Sequence, residues 1–91
     1  MAPATAQAIE ELTQTAIREL EALDSLEALE RWRVAYLGRR GRLTLVLRGL
    51  SHLDLEPRRA AGALGNQAKR TLEDRLAQRF REVSEAGLAR A

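Results

Sequence analysis

Cysteine is absent from the 91 residues, so no disulfide, thiolate-bound metal or thiol catalysis is available to this chain. Aromatic side chains are scarce: Trp32, Tyr36 and Phe80 are the whole set. The single histidine, His52, has no second histidine or carboxylate at ligand spacing and no nucleophile beside it, which leaves metal binding and base catalysis without support. No Walker loop, GxGxxG or HExxH occurs. No apolar run approaches the roughly 20 residues that cross a bilayer. Met1-Ala2-Pro3-Ala4 carries no basic segment leading into an apolar one, so no signal peptide is expected. The cytoplasm is the expected location. Alternating polar and apolar runs bounded by turns are missing as well, so no strand is predicted.

What is present is leucine and alanine for a core and arginine and glutamate for a surface, all good helix formers. The overall charge of +2 hides a segregation. Between Arg31 and Arg59 eight arginines face two acids, a net +6, which leaves −4 for the rest of the chain. A basic island thus lies between acidic-leaning arms. The paired carboxylates Glu10-Glu11 and Glu73-Asp74 fall on polar helix faces and are ordinary surface.

Apolar residues at Ile9, Leu12, Ala16, Ile17, Leu20 and Leu23 step by threes and fours, the mark of one buried helical stripe over 6–23. Asp24-Ser25-Leu26-Glu27 predicts a fresh start, with Asp24 and Glu27 exchanging capping bonds. The second helix, 25–37, carries Leu26, Leu29 and Tyr36 with Trp32 or Arg33 between. Gly38-Arg39-Arg40-Gly41 ends it, Gly38 being a candidate left-handed cap. A short helix over 43–50 follows, with Leu43, Leu47 and Leu50 on one side. Asp54 then caps a long helix over 55–86, seamed by Ala61, Leu64, Ala68, Leu72, Leu76, Phe80 and Val83. Thirty helical residues extend about 45 Å. Two arms around a short bend bury both stripes by packing antiparallel. The expectation is one all-α domain, an antiparallel helical hairpin with a short helix at its basic bend, fraying from Gly87.

Arg33, Tyr36, Arg39, Arg40, Arg42 and Arg48 crowd around that glycine-bounded bend, and Arg58, Arg59, Lys69 and Arg70 extend the basic face. Guanidinium forks match phosphate oxygens, and glycines let main-chain N–H groups approach the same oxygens. The bend is therefore a candidate backbone-phosphate site. The alternative is a solvated arginine face. Trp32 and Tyr36, four apart, share a helix face and either stack on a base or anchor the core. Asn66, in mid-helix, is expected to tie the last helix to the bend.

Taken as one string, Arg33-x-x-Tyr36-Leu37-Gly38-Arg39-Arg40-Gly41-x-Leu43-Thr44 is followed by Leu47-Arg48-x-Leu50. Leu53-x-Leu55-Glu56-x-Arg58-Arg59, Gly62 and Asn66-x-x-Lys69 come after it. This order and spacing resemble the amino-terminal domain of bacterial phenylalanine–tRNA ligase α subunits. Arg39-Arg40 replace the family's usual lysines, keeping charge and adding fork geometry. Pro57 stands where an acid is usual. Gly65 stands where a larger residue is usual, at a cost to the helix of about 1 kcal/mol. The resemblance implies a coiled-coil arm that supports the outer corner of tRNA, on an (αβ)₂ enzyme whose β subunit is a further partner. It also implies that ATP, magnesium and phenylalanine are bound in a following catalytic domain, beyond these residues. No cofactor is expected within 1–91.

The nucleic-acid contact set expected on charge and position is Arg33, Tyr36, Arg39, Arg40, Arg42, Arg48, Arg58, Arg59 and Lys69. Two rival readings remain. One is a helical interaction module that self-associates through its leucine seams. The other is a small all-α enzyme of the chorismate mutase kind, which holds its arginines inside a bundle and not at a bend.

Overall fold

The structure, a computed structural model, describes the backbone of residues 6–90 and the side chains of residues 6–87. It is all-helical: α1 (Ala6–Glu21), α2 (Leu26–Leu37), α3 (Arg42–Gly49), a 3-10 turn (Leu50–His52) and α4 (Leu55–Arg90). The body is 54 Å long and 17 to 18 Å across. That length is what 36 residues of α4 span at about 1.5 Å each, so the long helix is the spine.

The predicted stripes are the ones buried. Ile9, Ala16 and Leu20 of α1, Leu29, Trp32 and Tyr36 of α2, Leu43 and Leu50 at the bend, and Ala61, Ala68, Leu72 and Leu76 of α4 form one core. Trp32 takes the position that it disputed with Arg33, and Arg33 is exposed. Leu26, expected in the stripe, is 47% exposed.

The basic bend does separate antiparallel arms. α2 starts beside the Arg79 level of α4, where Arg79 Nη2 donates to the Leu23 carbonyl at 2.7 Å. It ends at the bend, where α3 sets Leu47 against Gly65. α1, however, does not prolong the first arm. Ile9 lies by Gly65 and Leu64, Glu21 pairs with Arg75, and Leu23 meets Arg79, so α1 runs parallel to α4. The expected brief break after Leu23 is a full reversal, so that α1, α2 and α4 all pack around the core that α3 and the 3-10 turn close at the bend.

Four local expectations are corrected. α1 stops at Glu21, closed by Ala22 N–H to Glu19 O at 3.2 Å and Leu23 N–H to Leu20 O at 3.1 Å. The cap of α2 is Ser25, not Asp24: with extended φ and ψ of −131° and 150°, its hydroxyl accepts from Ala28 N–H at 3.1 Å. That frame puts Glu27 second in the helix, out of register for a reciprocal bond. α4 runs through Gly87 to Arg90, because one glycine costs about 1 kcal/mol and does not break a helix. Asn66 is exposed on α4, with no hydrogen bond to the bend among the described residues.

Candidate nucleic-acid interface

The bend is built by short-range hydrogen bonds. Gly38 N–H donates to Val34 O at 3.2 Å, and Gly41 N–H to Gly38 O at 2.9 Å. The Gly38 carbonyl also accepts from the Thr44 hydroxyl at 2.7 Å, and Leu45 N–H closes on Gly41 O at 2.9 Å. Gly38 to Gly41 is thus a four-residue reverse turn with Arg39 and Arg40 at its centre, both exposed.

The glycines are needed for closeness, not for handedness. Gly38 has φ −68° and ψ 175°, so the left-handed cap expected there is not formed, and no described glycine has positive φ. A Cβ on Gly38 would lie 2.6 Å from Val34 O; one on Gly41 would lie 2.6 Å from the Tyr36 carbonyl carbon and oxygen. Main chain fills the space that a side chain would need.

α3 then packs back on α4. Gly65 is buried, and its missing side chain admits Leu47 Cδ2; Gly62 faces Leu50. This brings Arg42 at the start of α3, Arg48 in its last turn, and Arg58 and Arg59 at the start of α4 to the same end of the rod as Arg39 and Arg40. All six are exposed. Arg33 lies further back on α2 and Lys69 one turn beyond Gly65 on α4, both exposed.

Ion pairing divides these cations. Arg33 pairs with Glu30 at 2.5 Å, Arg75 with Glu21 at 3.7 Å and Arg79 with Glu82 at 3.3 Å. The hydrogen bond with Arg33 lowers the Glu30 carboxyl pKa and raises that of the guanidinium. Among the described residues, none of Arg39, Arg40, Arg42, Arg48, Arg58 and Arg59 is paired with a carboxylate. Guanidiniums without carboxylate partners at one end of an elongated body keep their field and, apart from one Arg42 N–H, their donors for an external anion.

Tyr36 sits differently from the rest of the expected set. Its ring is 2% exposed and packs against Trp32 at 5.3 Å between centroids. Its hydroxyl donates to Glu19 Oε2 and accepts from Arg42 Nη1 at 3.4 Å. The Arg42 guanidinium carbon stands 5.5 Å from the ring centroid. Burial, then the bond to Glu19, raises the phenol pKa above its ordinary range. Trp32 is buried too, its indole N–H donating to Ala16 O at 2.9 Å. In this structure both rings belong to the core.

Two contributors escaped sequence reasoning. Arg79 bridges the α1–α2 reversal from 56 positions away, and Glu19 reaches Tyr36 from α1. Nothing in the local pattern distinguishes either from a solvated surface charge.

The fold and this end of it define an all-helical module that presents a cluster of arginines without carboxylate partners on and beside a tight turn. No described helix is long and apolar enough to cross a membrane. Residues 24–91 match the model of the family described as aminoacyl tRNA synthetase class II, N-terminal domain, and the chain belongs to that family. Its relatives include proteins named phenylalanine–tRNA ligase alpha subunit. One from Dehalococcoides mccartyi is 49% identical over 71 residues, covering 78% of this chain and 20% of the relative. Another from Acaryochloris marina is 36% identical over 81 residues, covering 89% and 24%. A third from Aliivibrio fischeri is 44% identical over 73 residues, covering 80% and 22%. The chain spans about a fifth to a quarter of the length of these curated relatives.

Proposed function

We propose that this chain is the tRNA-binding appended domain of a phenylalanine–tRNA ligase α subunit, holding the tRNA backbone at its outer corner while aminoacylation proceeds elsewhere in the enzyme. The observation that carries this reading is the gathering of six exposed arginines without carboxylate partners at the bend end of the rod; elsewhere Arg33, Arg75 and Arg79 are ion-paired, and Arg18, Arg31, Arg70 and Arg81 are spread along the helices. Folded RNA offers phosphates and 2′-hydroxyls on a curved surface, and guanidinium forks on a rigid turn recognise that pattern without reading sequence. Arg39, Arg40, Arg42, Arg48, Arg58 and Arg59 are the proposed contacts; Arg33 and Lys69 flank them, and Tyr36 serves from beneath. The acidic residues of α1, Glu10, Glu11, Glu19 and Glu21, discourage RNA from wrapping the whole rod. The catalytic domain with its ATP and magnesium, and a β subunit completing an (αβ)₂ enzyme, belong to the remainder of the assembly. The cytoplasm is where such an enzyme works.

The test is a titration of the chain with folded tRNA across a salt series, beside an Arg39→Ala/Arg40→Ala/Arg42→Ala variant. With about four phosphates engaged, log K falls with log salt at a slope near −3, and less steeply in the variant. Equal slopes place the RNA elsewhere on the molecule. Absence of binding at low salt by the folded chain removes the reading for the isolated domain.

A further inference from the structure

Arg42 differs from the other bend arginines in one respect: it alone among them has side-chain partners within the described chain. Its Nη1 donates to the Tyr36 hydroxyl and its guanidinium stands against the Tyr36 ring, while that hydroxyl donates in turn to Glu19 of α1. Directions in this chain are fixed by chemistry. An arginine has no acceptor and a carboxylate no donor, so the phenol must accept from the one and donate to the other. A phenol that donates to a carboxylate carries more negative charge on its oxygen and accepts better, so each bond strengthens its neighbour. The ring is buried between α1, α2 and the bend and cannot swing. One of five guanidinium N–H groups is spent on Tyr36, and the others remain for a phosphate.

We propose that Glu19 and Tyr36 are positioning residues that hold Arg42 in a preset orientation for an RNA phosphate, so that α1 governs the grip of the bend. This rests on the tRNA-binding reading above and adds to it a role for α1, whose Glu19 lies before residue 24, where the family match begins. Arg39 and Arg40, without partners, must be ordered by the RNA itself and lose side-chain freedom in doing so; Arg42 has already lost it.

The experiment has two arms. In the free chain, the Arg42 Nε–H is followed by heteronuclear NMR relaxation. An ordered signal that becomes mobile in Tyr36→Phe, and partly so in Glu19→Gln, supports the relay. A signal as mobile in the parent chain as those of Arg39 and Arg40 overturns it, whatever RNA does. The second arm titrates folded tRNA with the parent chain, Tyr36→Phe, Glu19→Gln, Glu19→Ala, Arg42→Ala and Tyr36→Phe/Arg42→Ala, with thermal unfolding measured on each. Tyr36→Phe is expected to weaken binding about three- to tenfold in the parent chain and not further once Arg42 is gone. Glu19→Gln, which keeps an acceptor oxygen, is expected to lose less than Glu19→Ala. Equal losses with and without Arg42 overturn the proposal, because a purely structural Tyr36 would act in both backgrounds. No tRNA binding by the parent chain overturns the RNA reading and with it the purpose assigned to the relay, while the first arm still decides whether the relay exists.

Discussion

Trp32 of α2 donates its indole N–H to the main-chain oxygen of Ala16 in α1 at 2.9 Å, with the tryptophan 4% exposed. This contact pins α1 against the middle of α2 and gives the largest ring in the chain a polar partner, as buried tryptophans require. Ala16 O, inside α1, keeps its helical donor regardless. Trp32→Phe therefore removes a net bond and some volume without orphaning an acceptor, and is expected to cost about 1 to 3 kcal/mol. Trp32→Ala is expected to cost about 3 to 5 kcal/mol, enough to unfold much of a domain this small. Leu45→Ala, at a side chain 51% exposed, should change stability by less than about 0.5 kcal/mol. Urea unfolding followed by far-ultraviolet circular dichroism orders the three.

Gly62 and Gly65 lie one turn apart on α4, yet alanine should act on them differently. A Cβ on Gly62 meets Leu50 Cδ1 at 3.9 Å, an ordinary contact, so Gly62→Ala gains helix propensity and stabilises by about 0.5 to 1 kcal/mol. A Cβ on Gly65 runs into Leu47 Cδ2, so the same gain is spent on moving that side chain. Gly65→Ala should show no net stabilisation by itself. Trimming Leu47 to alanine first should restore the benefit, which a double-mutant cycle in Tm would reveal; a gain at Gly65 in the parent chain would contradict the packing role.

Gly41 is a stricter case, because main chain and not a side-chain tip occupies its Cβ position at 2.6 Å. Gly41→Ala forces the turn open, breaking the Gly41 N–H to Gly38 O bond and loosening Thr44 from the same carbonyl. A loss of about 1 to 3 kcal/mol is expected, with amide exchange rising first in α3. If α3 amides stay as protected as in the parent chain, the close approach is not what demands glycine here.

The helical stripes were legible because burial repeats every three to four residues, and Ile9, Leu20, Leu29, Leu72 and Leu76 are buried as that rule requires. The cationic turn was legible because charge and glycine stand next to each other in the chain. The direction of α1 was not. An amphipathic stripe packs equally well on a parallel or an antiparallel neighbour; its sense here goes with the short reversal between Glu21 and Leu26 and with contacts distant in sequence, among them Trp32 to Ala16 O and Arg79 to Leu23 O. Gly65 looked like a weakness of the helix and is a contact surface. By position Tyr36 was open to both core and RNA, with the core favoured because aromatics are so few; burial places it in the core, and only through Arg42 does it reach the bend.

Tyr36 also supplies a titration that reads the bend directly, since it is the single tyrosine. Its phenol pKa is raised first by burial and then by the Glu19 carboxylate, which accepts a hydrogen bond from the neutral phenol and repels a phenolate, while the Arg42 cation opposes the shift. The folded state thus favours the neutral phenol. In the unfolded chain the group ionises near the ordinary value of 10.0. The stabilisation is therefore full below about pH 10 and is lost as pH rises through the higher folded value. Phenolate absorbance of the native chain should appear only above the ordinary tyrosine range, and the urea midpoint should fall over the same window. Tyr36→Phe should flatten that alkaline fall. Glu19→Gln should bring the phenol pKa down, and Arg42→Ala should push it further up. Opposite movements in those two variants identify the carboxylate and the guanidinium as the two neighbours of the hydroxyl; movement in the same direction would mean that the variants act by opening the core to water.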